Sequence, residues 1–341
     1  MFRKMFIFIL LWATFSSPQA ATGFRQTWII TPDERPLHLT FWYPTLAKVP
    51  VTPVGENSVF YGINVIANAT PIGKHHPLIV LSHGYGGSWK NLSWLAAALA
   101  AQGYIVAAPD HPGTTTADRS PTEAAKLWLR PKDVTRTIDY AVGHSALIGS
   151  VNDKRIAAIG HSLGGWTVMA LAGAKLSPPQ LRHDCEEPFS QTICGLIPKL
   201  GLNRSEADRQ FSSSLQDKRI RAVVTLDTGL TRGFTETSLA HLSIPVLVIA
   251  AGTNIADLPA EAESVRLANL LQKNESNLQI LPNATHFSFM QLCKPDARHI
   301  IDETSPGEGV ICVDGKPHIR GQLHYTIQHH IIDFLNRALN E

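Results

Sequence analysis

The stretch Lys154 to Ala172, KRIAAIGHSLGGWTVMALA, holds the residue whose surroundings point most directly to chemistry. A short apolar run, Ile156 to Ile159, meets Gly160-His161-Ser162-Leu163-Gly164, and an apolar, helix-like run from Trp166 to Ala172 follows at once. A serine in a G-x-S-x-G turn between a buried strand and a helix sits on so tight a bend that its hydroxyl projects from the sheet. Small residues two before and two after it let helix and strand pack without a Cβ clash. Ser162 is therefore the candidate nucleophile. The alternative is a Gly-rich turn that holds a serine incidentally.

A serine hydroxyl is a poor nucleophile at neutral pH and needs an adjacent base. Imidazole suits that task because its pKa lies near the working pH. A buried carboxylate then fixes the imidazole tautomer and stabilises the imidazolium that forms. Of the 15 histidines, His286 in Asn283-Ala284-Thr285-His286-Phe287 is best placed, after the last expected strand and before the closing helix. The acid has two candidates. Asp227 follows the run Arg221 to Leu226 immediately, one strand after Ser162, whereas Asp257 lies several residues along a loop after the next strand. Asp227 is favoured by its place at a strand end. His161 reads as a packing or hydrogen-bonding residue, His75-His76 and His329-His330 as solvated or core-edge pairs, and Asp110-His111 as a structural turn near the pocket.

A tetrahedral oxyanion needs two N–H donors held in place beforehand. The backbone N–H of Leu163 is one candidate, and that of Tyr85, in His83-Gly84-Tyr85-Gly86-Gly87, is the other. As a phosphate loop the same stretch fails, because no Gly-Lys-Ser/Thr follows and position 89 is Trp. The histidines are scattered and no C-x-x-C spacing is present, so no metal site is implied.

Those residues need strand ends to stand on. Phe24 to Thr31 and Leu37 to Tyr43 read as strands around the turn Pro32 to Pro36, an antiparallel hairpin. Residues 44–74, with four prolines, read as loop with one possible strand at Val59 to Ile66. Strands are then expected at Leu78 to Leu81, Tyr104 to Ala108, Ile156 to Ile159, Ile220 to Leu226, Ile244 to Ala250 and Leu278 to Leu281. Helical spacing appears over Trp89 to Ala101, Pro131 to Ile148 (Val134, Ile138 and Val142 on one face), the run after Ser162, Ala260 to Leu271 and His324 to Leu339. Alternating strands and helices predict an α/β fold with a mainly parallel central sheet and helices on both faces. Sites in such sheets form beyond the carboxyl ends of the strands, where these candidates lie.

The rest of the chain bounds its setting. Residues 1–21 read as a signal peptide: Arg3-Lys4, an apolar stretch from Met5 to Phe15, then small residues ending in Ala20-Ala21. The apolar stretch is short of the ~20 residues a bilayer span needs, the alternative being an uncleaved anchor. Removal would leave residues 22–341 as a single domain with 28 basic and 28 acidic residues, because 1–21 hold no acid. That balance gives no electrostatic case for nucleic acid or an anionic membrane surface. Export, periplasmic or secreted, is the expectation. Four cysteines suit an oxidising compartment. The local solution pairs Cys185 with Cys194 and Cys293 with Cys312; free thiols or a metal site are the alternatives. Two insertions, near 176–217 and 293–320, interrupt the alternation; the first is expected over the sheet edge.

Together these motifs resemble the α/β-hydrolase superfamily, and within it the platelet-activating-factor acetylhydrolase and predicted dienelactone-hydrolase-like branch. The resemblance rests on Phe41-Trp42-Tyr43-Pro44, Leu81 to Gly87, Arg130-Pro131-Lys132-Asp133, Gly160 to Gly165, Val224-Thr225-Leu226-Asp227 and Thr285-His286-Phe287, in the order expected. It implies an α/β-hydrolase fold, no cofactor, the acid at Asp227, and a serine hydrolase acting on small-molecule or lipid esters, often with short acyl groups. One departure is plain. Dienelactone hydrolases proper use a Cys nucleophile, and this chain has Ser162. The insertions are expected to shape the acyl pocket. A lipase or phospholipase A acting on longer chains is the second reading, and a non-catalytic binding protein on the same fold the third.

Overall fold

The computed structural model of the chain describes residues 21–187, 189–271 and 277–340; apart from Ala21, the leader expected at 1–21 lies outside them. Ten strands form one sheet: β1 (Ala21–Thr31), β2 (Glu34–Thr45), β3 (Thr52–Val54), β4 (Ile63–Ala67), β5 (His76–Ser82), β6 (Ile105–Asp110), β7 (Val151–His161), β8 (Ile220–Leu226), β9 (Val246–Ala251) and β10 (Asn277–Leu281). Their order is β10-β9-β8-β7-β5-β6-β2-β1-β4-β3. From β10 to β6 every neighbouring pair is parallel, whereas β6–β2, β2–β1 and β4–β3 are antiparallel. This is the α/β-hydrolase fold with its antiparallel N-terminal hairpin.

The apolar runs are buried because both sheet faces are covered. Side chains alternate across a strand, so Leu78, Val80, Ile105, Ala107, Ile156 and Ala158 enter one core. Ile79, Leu81, Val106, Ala108, Ala157 and Ile159 enter the other. The helices Leu129–Gly143 and Leu163–Ala172 cover the first face. The helices Ser93–Ala101 and Arg320–Ala338 cover the second. Strands buried on both faces read as continuous apolar runs, which is why periodicity alone gave only their positions.

Several local expectations change; the stretch read as loop also holds β3, and the helices expected from Trp89 and Ala260 begin at Ser93 and Ser264. The hairpin turn is two residues, Pro32-Asp33, with Thr31 already paired to Glu34. Arg35, expected in the turn, is instead pinned as strand: its guanidinium pairs with Asp133 and its carbonyl accepts from Arg136 Nη1 at 2.9 Å. The strand expected at Val59 to Ile66 starts only at Ile63. Asn57 Oδ1 accepts the amides of Val59 (2.9 Å) and Phe60 (2.7 Å), which folds that stretch back as a side-chain turn. The helix expected to Ile148 ends at Gly143, with a separate turn at Ser145–Ile148, and Ala141 rather than Val142 joins Val134 and Ile138 in the core; Val142 is 41% exposed.

The chain runs from β5 to β6 on one side, then returns to place β7 on the other side of β5. Where neighbouring connections leave a sheet in opposite directions, a crevice opens at the carboxyl ends of the strands. Here the crevice lies between the loop after β5 and the turn after β7.

Candidate active site

Ser162 follows β7 with φ 56° and ψ −120°, a left-handed backbone unusual for a residue with a side chain. Its amide donates to Leu226 O at 3.0 Å, so the end of β8 holds the bend in place. Close approach explains the flanking glycines. A Cβ on Gly160 would come within 2.0 Å of Gly164 O, and one on Gly164 within 1.9 Å of Ser82 O. Alanine at either position would force strand and helix apart.

His286 begins a short turn, His286–Phe289, whose preceding residue Thr285 forms a reciprocal cap with Ser288. Its Nε2 lies 3.0 Å from Ser162 Oγ, and its Nδ1 lies 2.7 Å from Asp227 Oδ2. A carboxylate can only accept, so Nδ1 carries the proton and Nε2 is left to accept from the serine hydroxyl. Asp227, also in a left-handed conformation (φ 45°), is fixed on its other oxygen: Oδ1 accepts Ala251 N–H at 2.9 Å. Its own amide donates to Ile249 O at 2.7 Å. The structure thus brings Ser162, His286 and Asp227 into one hydrogen-bonded chain.

Asp257 is elsewhere. Its Oδ2 accepts the amides of Gln191 (2.5 Å) and Thr192 (3.1 Å), at the start of the helix Gln191–Lys199. It tethers the first insertion. His161 donates from Nε2 to His286 O at 2.9 Å, and burial holds its pKa down at about 3, so the ring is a neutral brace for the His286 backbone.

The loop after β5 passes directly over Ser162: a Cβ on Gly84 would lie 3.1 Å from Ser162 Cβ. The amides of Tyr85 and Leu163 have no protein acceptor among the described residues. Beneath the loop lies a buried polar set that the sequence reading did not assemble. His111 Nε2 meets Ser82 Oγ at 3.0 Å and its Nδ1 meets Asp133 Oδ2 at 2.9 Å. Buried Arg130 donates to Thr167 Oγ1 (3.0 Å), Thr114 Oγ1 (2.6 Å), Ser82 Oγ (3.3 Å) and His83 O. The stretch Arg130 to Asp133 was visible as a motif; its partners, 16 to 48 residues away from Arg130, were not. A third unforeseen group is Glu263. Burial raises its carboxyl to about 8, and its Oε2 accepts Thr231 N–H at 2.6 Å in the loop that continues from Asp227.

Both disulfides, Cys185–Cys194 and Cys293–Cys312, are present. The second insertion stands behind the histidine turn. Thr285 Oγ1 donates to Val313 O at 2.8 Å, Ser288 Oγ to Asp314 Oδ1 at 2.5 Å, and Arg320 pairs with Asp314. The first insertion forms three helices, Pro178–Asp184, Gln191–Lys199 and Ser205–Ser212. It packs on the helix after Ser162 rather than only along the sheet edge: Phe211 meets Trp166 and Trp128 edge-on. A cavity of about 1210 Å3 lies against the hairpin; Trp28, Arg35, Trp89 and Asp110 line it, and neither Ser162 nor His286 does. Among the described residues no cluster of three or more His, Cys, Asp or Glu side chains is arranged to hold a metal ion, and no helix is long and apolar enough to cross a membrane.

A strained serine at a strand–helix turn, on a mainly parallel sheet, defines a hydrolase-type scaffold. The model of the alpha/beta hydrolase family matches residues 79–297, and the chain belongs to that family. Over 133 residues it is 25% identical to a bis(hydroxyethyl) terephthalate hydrolase of Streptomyces coelicolor, a match that covers 39% of this chain and 38% of that protein. Over 99 residues it is 30% identical to cutinase est2 of Thermobifida alba, covering 28% of this chain and 30% of the cutinase. The chain thus spans well under half the length of these relatives. Among solved structures, a ferulic acid esterase from Streptomyces cinnamoneus superposes with a TM-score of 0.63 at 22% identity, over 95% of this chain and 92% of that one.

Proposed function

We propose that this chain is an exported serine hydrolase that cleaves carboxylic esters, with short acyl groups preferred. The observation that carries the reading is the relay Ser162 Oγ, His286 Nε2 and Nδ1, Asp227 Oδ2, with contacts of 3.0 and 2.7 Å, at a strained turn. His286 takes the serine proton as Oγ attacks the ester carbonyl. The amides of Tyr85 and Leu163 receive the developing oxyanion. His286 then protonates the leaving alcohol, and water attacks the acyl-serine by the same route in reverse. Asp227 stays ionised and balances the imidazolium.

Relatives named for a terephthalate ester, for cutinase and for ferulic acid esterase activity support an ester carbonyl as the target. The two disulfides support export to an oxidising compartment. The test is hydrolysis of a p-nitrophenyl ester series from C2 to C16 by the protein and by Ser162→Ala. Turnover of short esters that vanishes in the variant is the expected outcome. A rate maximum at long chains would replace the short-acyl reading with a lipase, and activity surviving in Ser162→Ala would remove the serine mechanism.

A further inference from the structure

The orientation of the Tyr85 amide is set from behind the loop. Within His83–Gly87, the carbonyls of Gly84, Gly86 and Gly87 accept hydrogen bonds from Gly87 N–H (3.2 Å), Thr116 Oγ1 (2.8 Å) and Thr116 N–H (2.7 Å), and Gly86 N–H donates to Thr114 O at 2.8 Å. Gly84 O has a second partner, the ring of His83, whose Nδ1 lies 2.7 Å away. The tautomer of that ring is decided by backbone. His111 N–H lies 3.0 Å from His83 Nε2 and can only donate, so Nε2 accepts and Nδ1 carries the proton to Gly84 O. Arg130 closes the other side by donating to His83 O. In a trans peptide the C=O and the following N–H point in opposite directions. Holding Gly84 O against His83 therefore turns Tyr85 N–H away from that ring, and Gly84 itself lies against Ser162.

We propose that His83, seated by Arg130 and by the His111 amide, is a positioning residue that aims Tyr85 N–H at the oxyanion. This rests on the ester-hydrolase reading and deepens it. His83 touches no reacting atom.

Two substitutions separate this role from ordinary stability. In His83→Asn the side-chain amide reaches the place of Nδ1 and keeps a donor for Gly84 O, but gives up the acceptor for His111 N–H. In His83→Gln the carbonyl reaches the place of Nε2 and keeps that acceptor, but gives up the donor. His83→Ala loses both. Losing an oxyanion donor outright costs about 10²–10³ in kcat in other hydrolases; a misdirected one should cost roughly ten- to a hundredfold. On a p-nitrophenyl ester, Gln and Ala should show that loss in kcat with KM little changed, while Asn stays within a few-fold of the parent. The Ki of a trifluoromethyl ketone, which forms the tetrahedral adduct, should weaken in step with kcat/KM. If kcat instead follows Tm across the series, or Gln is as active as Asn, the proposal falls. ¹⁵N shifts of the His83 ring in the unaltered protein give a reading that needs no variant to fold: protonated Nδ1 is required, and an Nε2–H tautomer overturns it. An unaltered protein that turns over no ester would defeat the hydrolase reading itself, which an active protein with an indifferent His83 would not.

Discussion

Asp227→Asn should all but stop turnover, and the structure says why an isosteric change does so much. Ala251 N–H donates to Oδ1 at 2.9 Å, so the asparagine must put its carbonyl oxygen there; the reverse orientation would oppose two donors in a buried place. The amide NH2 then faces His286 Nδ1, 2.7 Å away, and can only donate. Nδ1 becomes the acceptor, the proton moves to Nε2, and the nitrogen 3.0 Å from Ser162 Oγ can no longer take the serine proton. In a serine protease triad this wrong-tautomer state costs ≈ 10⁴ in kcat, about 5.5 kcal/mol of barrier at 1.36 kcal/mol per decade. The assay is kcat on p-nitrophenyl butyrate, with Tm to show that the variant is folded. Asp257→Asn is the control. It should keep kcat within a few-fold and lose only stability, on the order of 1 kcal/mol for a weakened helix start. An Asp227→Asn protein within tenfold of the parent, or an equal collapse in Asp257→Asn, would refute the assignment.

Acid should destabilise the fold before it protonates most carboxylates. His83, His161 and His324 are held neutral by burial, each lowered from 6.5 to about 3, so between those values the unfolded chain binds protons the native one refuses. The histidines' contribution is then full above pH 6.5 and falls as pH drops. Glu263 works the other way, so near pH 5 the four groups together leave a net difference of about two protons, a slope of about 3 kcal/mol per pH unit. A Tm that is flat from pH 7 to 5 would contradict this. Glu263→Gln should gain in Tm on the parent from pH 5 to pH 9, because a carboxyl raised from 4.5 to about 8 contributes stability that is full only below 4.5 and is lost as pH rises through about 8; a gap that does not widen with pH would count against a neutral Glu263. Each disulfide should contribute about 2.5–3.5 kcal/mol by loop closure. Cys293→Ala/Cys312→Ala should also lower kcat, since that segment backs the His286 turn, whereas Cys185→Ala/Cys194→Ala should lower Tm alone; equal kcat values for the two would show that the buttress is irrelevant to the histidine.

Legibility in the sequence followed range. Ser162, the strand before it, the helix after it and the local cysteine pairs are set by residues within one turn or loop, and spacing displayed them. The partners of His286 lie 124 and 59 residues away, yet strand-end position pointed to Ser162 and Asp227, because a parallel sheet converts "end of a strand" into "same rim". The Arg130–His111–Asp133 set was not legible for the same physical reason in reverse. Its members reach one another through the interior from a strand end, a turn and a helix, and nothing local distinguishes a buried arginine from a solvated one. The Pro32–Pro36 turn misled because proline and acid suggest a loop, while Arg35 is drawn into strand by Asp133, a residue on a distant helix.

Among the described residues, two of the eight non-glycine positions with positive φ lie in the proposed relay. Ser162 and Asp227, next to each other across the ends of β7 and β8, both hold positive φ without being glycine, at a cost of about 1–3 kcal/mol each. Each is over-determined by its neighbours: Ser162 N–H donates to Leu226 O, the residue before Asp227, and Asp227 N–H donates to Ile249 O on β9. The ladder that satisfies these amides therefore also sets the spacing of the two side chains. Relaxing one bend must shift the other, so the register between β7, β8 and β9 belongs to the geometry of the relay as much as the three side chains do. A small residue change at Gly160 or Gly164, remote from any substrate atom, should for that reason act first on kcat through the position of Oγ.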